Sequence, residues 1–275
     1  MEQKMIWQRY GIAISEGGII KEIYAGKIDN YNPFDLPNLP NAFSKIHDES
    51  TAVIFVTKYG LLGYSWLVDI GKRVGGDPLW WVLAHAESIR FVLNLIAALS
   101  KNDDDAILKT LNTARVKSDR SVLSEEIKPI EGKGILDASY KVAVGPYNAV
   151  IGNATFAPTE EGKLKVHANY LIVKIVNENI KDITWNFHYD DSVNKIKPYF
   201  RVRALITAIW KMTGDMALIS QETKGKGIRI CDECERPFLV TDKRQRFCPP
   251  DRFSKTSLCG SRHRMENYRN KKGVK

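Results

Sequence analysis

Cysteine is missing from the first 230 residues of this 275-residue chain. That absence excludes a disulfide scaffold for most of the molecule, which must rest on an apolar core, and 44% hydrophobic residues suffice for one. Net charge is missing from nearly the same stretch. Residues 1–223 carry 26 Lys and Arg against 26 Asp and Glu, so the whole excess of 41 over 32 belongs to the tail. A long apolar run is missing too: the longest segment without a charge, Val142 to Thr159, contains Gly145, Pro146, Gly152 and Pro158 and cannot cross a bilayer as a helix. Residues 1–7 have no apolar signal region, so a cytoplasmic protein without a membrane partner is expected. HExxH, GxSxG, GxGxxG and phosphate-loop motifs are absent and the five histidines are scattered, which leaves no case for an enzyme.

What the body lacks is concentrated in the tail. Cys231 and Cys234 form a CxxC knuckle, and Cys248 and Cys259 follow after loops of thirteen and ten residues. That spacing suits a four-thiolate Zn²⁺ site of tetrahedral shape, with no open position for an activated water. Two disulfides would use the same residues, but a chain of intracellular character favours metal. The tail has too few large apolar residues for a core of its own, so a metal accounts for its folding. It also holds fifteen Lys and Arg against six Asp and Glu from Lys224 to Lys275. A field of that density attracts polyanions in a salt-dependent manner.

The run Cys231-Asp-Glu-Cys234-Glu-Arg-Pro-Phe238, then Arg246-Phe247-Cys248, then Cys259-Gly260-Ser261-Arg262 and a basic stretch ending in Tyr268-Arg269, resembles the CGNR zinc finger. Phe55 to Gly63, with its Tyr-Gly-Leu-Leu-Gly turn, resembles the ABATE domain that precedes this finger in a family of bacterial proteins described as stress-induced transcription regulators. Ser261 stands where the family has asparagine, and the Cys248–Cys259 loop, with Pro249-Pro250, is long. The resemblance implies DNA-binding transcription regulation by the finger.

The residues themselves point to an α+β protein in two parts. Residues 1–223 read as a mostly helical domain with some strands, which the ABATE resemblance implies dimerises or senses a signal, and residues 224–275 as a treble-clef-like zinc finger. Residues 221–227 form the linker. In the finger, strands are expected at 238–240 and 246–248 across a turn at 241–243, then a helix from about Gly260. Arg244, Arg246, Arg262, His263, Arg264, Asn267, Arg269, Lys271 and Lys272 are the candidate nucleic-acid contacts, as cations for phosphate or as polar groups near bases. DNA is expected ahead of RNA, with a homodimer as a further partner; an RNA-binding protein and a protein-interaction adaptor with purely structural zinc are the alternatives.

Along the body, Ile6, Tyr10, Ile12 and Ile14 alternate toward Gly17-Gly18 and predict a hairpin. Three prolines between Asn30 and Asn41 predict an irregular loop, and Ser50–Tyr59 a helix stopped by Gly60. Asp77-Pro78 predicts a capped start for a long helix over 79–100, in which His85 is hydrogen-bonded within the fold. Asn102–Asp105 reads as the acidic start of the next helix. Segments 121–130 and 136–144 look extended, while 147–156 fits strand or helix. A helix is expected from Leu164, a strand with one half-buried aromatic face through Trp185, Phe187 and Tyr189, and a helix from Pro198.

Overall fold

The computed structural model describes residues 5–67, 75–111, 114–118, 124–126, 139–144, 149–155, 164–190, 194–223, 227–240, 242, 244–250, 254 and 256–272. A hairpin opens the chain: β1 (Trp7–Glu16) and β2 (Ile19–Tyr31) meet at Gly17 and Gly18, with φ of 58° and 75°. Positive φ at both turn residues matches the twist of the strands. The strands are where alternation places them, but the faces are exchanged: Gly11 and Ala13 are buried while Ile12, Ile14 and Ile23 point outward. The small residues give α2 (Glu49–Tyr59) a flat bed, and the Ala13 N–H donates to Thr57 Oγ1 at 3.0 Å. Close approach of the helix, more than side-chain polarity, selects the inner face.

The proline-rich stretch is less irregular than its composition suggests. It forms a 3₁₀ turn at Pro33–Asp35 and a short helix, α1 (Leu39–Phe43), each with proline in its first turn, where a missing N–H costs little. Asp48 caps α2 through the Thr51 N–H at 2.8 Å, and Gly60 ends it with φ of 88°. A Cβ at Gly60 would lie 2.9 Å from Gln8 O, so space as well as conformation requires glycine there.

After α3 (Tyr64–Leu67), the two-residue strand β3 (Asp77–Pro78) pairs with Ile19 and Ile20 and leads into α4 (Leu79–Lys101). Asp77 does not cap α4. Pro78 takes the N-cap position, and the Asp77 carboxylate accepts the backbone N–H groups of Leu62, Gly63 and Tyr64 instead. Three unpaired amides in one turn are a stronger attraction for a buried carboxylate than the end of its own helix.

Among the described helices α4 alone is long and apolar enough to cross a bilayer, yet 67% of its most apolar window is buried inside the protein. It is the axis of the core, touching α1, α2, α5 (Asp104–Leu111), α6 (Leu164–Asn179) and α7 (Leu205–Glu222). Its own Phe91 and Leu95 are fully buried, as are Phe43 of α1 and Trp210 of α7. His85 is inside this packing as expected: its Nδ1 accepts the Trp210 indole N–H at 3.0 Å, which puts the ring proton on Nε2. The acidic run does start α5, with Asp103 Oδ1 accepting the Ala106 N–H at 2.9 Å.

Between α5 and α6 an antiparallel sheet has the order β5-β4-β6-β7, built from β4 (Ala114–Ser118), β5 (Ser124–Glu126), β6 (Ser139–Val144) and β7 (Ala149–Thr155). Within the ambiguous 147–156 segment, the described residues Ala149–Thr155 are therefore strand. After α6, β8 (Thr184–Asp190) and β9 (Lys195–Arg201) make a two-stranded hairpin. The helix expected from Pro198 starts seven residues later at Leu205, because Pro198 lies in β9 opposite Phe187. Proline is tolerated there since, among the described residues, β9 pairs with β8 alone. Trp185 and Phe187 are 56% and 71% exposed, so this aromatic face is open where a half-buried one is expected.

The tail adds β10 (Ile228–Ile230), β11 (Pro237–Leu239) and α8 (Leu258–Lys272). The whole is a mixed α+β structure with four antiparallel sheets among the described residues. The central residues of the expected linker, 224–226, lie outside the described residues. Just beyond them, Ile228 is 3% exposed and belongs to the main core.

Candidate metal centre

Three segments bring the sulfurs together. The first knuckle sits between β10 and β11, which pair across it; this pairing replaces the strand expected at 246–248. Its turn is closed by Glu235 N–H to Cys231 O and by Cys231 N–H to Arg236 O, both at 2.9 Å, with Glu235 in the left-handed region at φ 56°. A second loop carries Cys248. It is tied to the first where the Asp232 N–H donates to Arg246 O at 3.1 Å and the Arg246 guanidinium grips the Asp232 carboxylate at 2.6 and 2.7 Å. Cys259 comes from the first turn of α8, where the Ser257 hydroxyl accepts the Gly260 N–H at 3.1 Å. Gly260 lets this turn lie on Phe247, whose ring a Cβ would meet at 3.3 Å.

The four Sγ atoms lie within 4.8 Å of one another, and Cys231, Cys248 and Cys259 are buried with Cys234 half-buried. A tetrahedral ion with metal–sulfur bonds of ~2.3 Å needs sulfurs ~3.8 Å apart, so one ion fits with small adjustments. Cys234 and Cys248 are already 3.4 Å apart, and the Cys248 N–H points at Cys231 Sγ from 3.4 Å. Hydrogen bonding from Cys248 holds the Cys234 thiol well below its ordinary range. That same bond raises Cys248, and burial with neighbouring sulfur charge raises Cys259. A depressed Cys234 among crowded, raised thiols is an arrangement that a bound cation relieves.

Cation placement divides the tail in two. Arg236 points inward: its Nη1 donates to Ser44 Oγ at 2.9 Å and to Asn41 O at 3.3 Å, and its charge faces Cys234, Cys248 and Cys259. Asn41 completes the joint by donating to Pro237 O at 2.5 Å. Composition counts Arg236 among the tail's cations; only the folded body reveals its inward partners. Arg262, Arg264, Asn267 and Arg269 are exposed along α8, with Arg264 resting on Ser261 Oγ at 3.1 Å. His263 is half-buried, its ring 5.1 Å from Phe247. Arg244 is exposed on the loop before the second knuckle, and Arg246 is committed to Asp232. The side chains of Lys271 and Lys272, at the end of α8, lie outside the described residues.

Comparisons of this chain with protein-family models, with curated proteins and with solved structures give no match. The four sulfurs themselves carry the conclusion here: they form a site that can hold one metal ion.

Proposed function

We propose that the ion is Zn²⁺ and that the chain is a nucleic-acid-binding protein, a DNA-binding transcription regulator of the CGNR and ABATE kind with a larger sensing or dimerising body. Four sulfur ligands in a closed shell suit zinc, which asks for no electronic preference and leaves no coordination site for catalysis. The observation that carries the nucleic-acid reading is α8. From Arg264 to Asn270 every side chain is exposed, and the cations Arg262, Arg264 and Arg269 stand along the helix. A helix without an apolar face has no packing of its own to hold it; here its first turn is pinned by Cys259, and the rest projects outward. A rod of that diameter fits a major groove roughly 12 Å wide.

The zinc-loaded protein should bind duplex DNA with an affinity that falls steeply with salt, at a slope of about −0.9 per phosphate neutralised. Stripping the metal should abolish binding. Affinity indifferent to both treatments would sink the reading, and preference for an RNA competitor of the same length would move it to RNA.

A further inference from the structure

The inner wall of the metal centre is also the wall of a crevice. Between the finger and the body lies a cavity of about 200 Å³. The finger contributes Cys248, Pro249, Leu258 and Cys259, and α2 with the segment preceding it contributes Lys45, Ile46, Ile54, Phe55 and Lys58. Two features separate it from an ordinary surface cleft. Part of its apolar lining is not used up by packing: Ile54 and Leu258, one from each side, stay 63% and 55% exposed, over a floor of core residues Ile46 and Phe55. Among the described lining residues its charge is of one sign, with Lys45, with Lys58 whose ammonium lies 5.8 Å from the Tyr59 ring centroid, and with no carboxylate.

We propose that this crevice binds a small organic anion, a carboxylate on a compact apolar body, and that the bound anion bridges the body to the finger. Two ammonium groups select negative charge, and the isoleucine, phenylalanine and leucine walls select against a fully hydrated ion such as phosphate, which has no apolar surface to bury. The volume equals about seven waters, which limits the ligand to the size of a benzoate or a hexanoate. Lys45 also acts electrostatically on Cys234 and Cys259, and two of the lining residues are themselves metal ligands. A molecule lodged there restrains the loops that carry Cys248 and Cys259. It gives the neutral body a means of telling the basic finger what it has sensed. This coupling rests on the zinc reading above.

The test uses the full-length protein after its zinc content has been measured by mass spectrometry, so that absence of metal is recognised separately as failure of the zinc reading. Benzoate and its uncharged twin benzamide are titrated calorimetrically, and zinc loss to a coloured chelator is timed with and without each. Benzoate should bind saturably and about tenfold tighter than benzamide, and should slow zinc release. Lys45→Gln with Lys58→Gln should erase the preference for benzoate, while Ile54→Asp should weaken both ligands. Equal or undetectable binding of the two probes overturns the proposal. So does a double lysine variant that loses duplex affinity but holds benzoate unchanged, because the lysines would then belong to the nucleic-acid face.

Discussion

Two titratable side chains in the body, the buried Asp77 and the half-buried His85, oppose each other in their response to pH. Burial raises Asp77 from 3.8 to about 6, against the pull of three backbone amides, and burial alone lowers His85 from 6.5 to about 4. For Asp77 the folded state holds the proton more tightly than the unfolded state, so its contribution to stability is complete below pH 3.8 and is lost as pH rises through about 6. His85 runs the other way: its contribution is complete above pH 6.5 and is lost as pH falls through about 4. Each effect amounts to about 3 kcal/mol at 1.36 kcal/mol per pH unit, so between pH 4 and 6.5 they largely cancel. Asp77→Asn should therefore uncover a stability that climbs with pH, and His85→Gln, which retains an acceptor for Trp210, one that declines. Urea denaturation of both variants at pH 4.5 and 6.5 checks the two slopes; parallel responses would show that these residues do not set them.

The elements show where local pattern stops being enough. Asp48 and Gly60 delimit α2 by their own chemistry, a side-chain cap and a positive φ; the glycine stop is read from the sequence, while the Asp48 cap starts the helix one residue before the expected Ser50. Asp77 and Pro198 carry equally strong local signals and were redirected by partners distant in sequence, the 62–64 turn and β8. The outward Ile12, Ile14 and Ile23 follow the same rule, since which face of a strand is buried depends on what packs against it. Helix α8 is the reverse case, an element whose exposure its composition already declares. Replacing Arg262, Arg264 and Arg269 together by glutamine should reduce duplex affinity by at least tenfold and flatten the salt dependence by up to about three slope units, with zinc content intact. Retained affinity at full zinc content would assign the helix to another partner.

At the scale of the molecule, the finger is seated on the body. Ile228 enters the main core, Asn41 reaches Pro237, and Arg236 lies between Ser44 and the sulfur cluster. Arg236 is thus a positive prop under the site, and Arg90, held by the carbonyls of Ser44 and Ile46 at 2.8 and 2.6 Å, braces the same segment from α4. Arg236→Met should cost about 1–3 kcal/mol of stability by stranding its partners, and should accelerate metal loss to a chelator. Unchanged release kinetics would mean that the finger holds its ion without help from the body.

How far the sequence reaches follows from the range of the forces involved. The cluster of four cysteines, the cationic stretch that follows it, the opening hairpin, the Gly60 stop of α2 and the acidic start of α5 are local, because sulfur spacing, charge density, turn chemistry and periodicity act over a few residues. The direction of the Asp77 carboxylate, the strand at Pro198, the exposed Trp185 and Phe187, the inward Arg236 and the crevice above Lys45 were decided only in the folded chain. The partners of Asp77 and Pro198 lie beyond the few residues over which caps and periodicity act, those of Arg236 lie in a separate part of the chain, and no short window of sequence contains both members of any of these pairs.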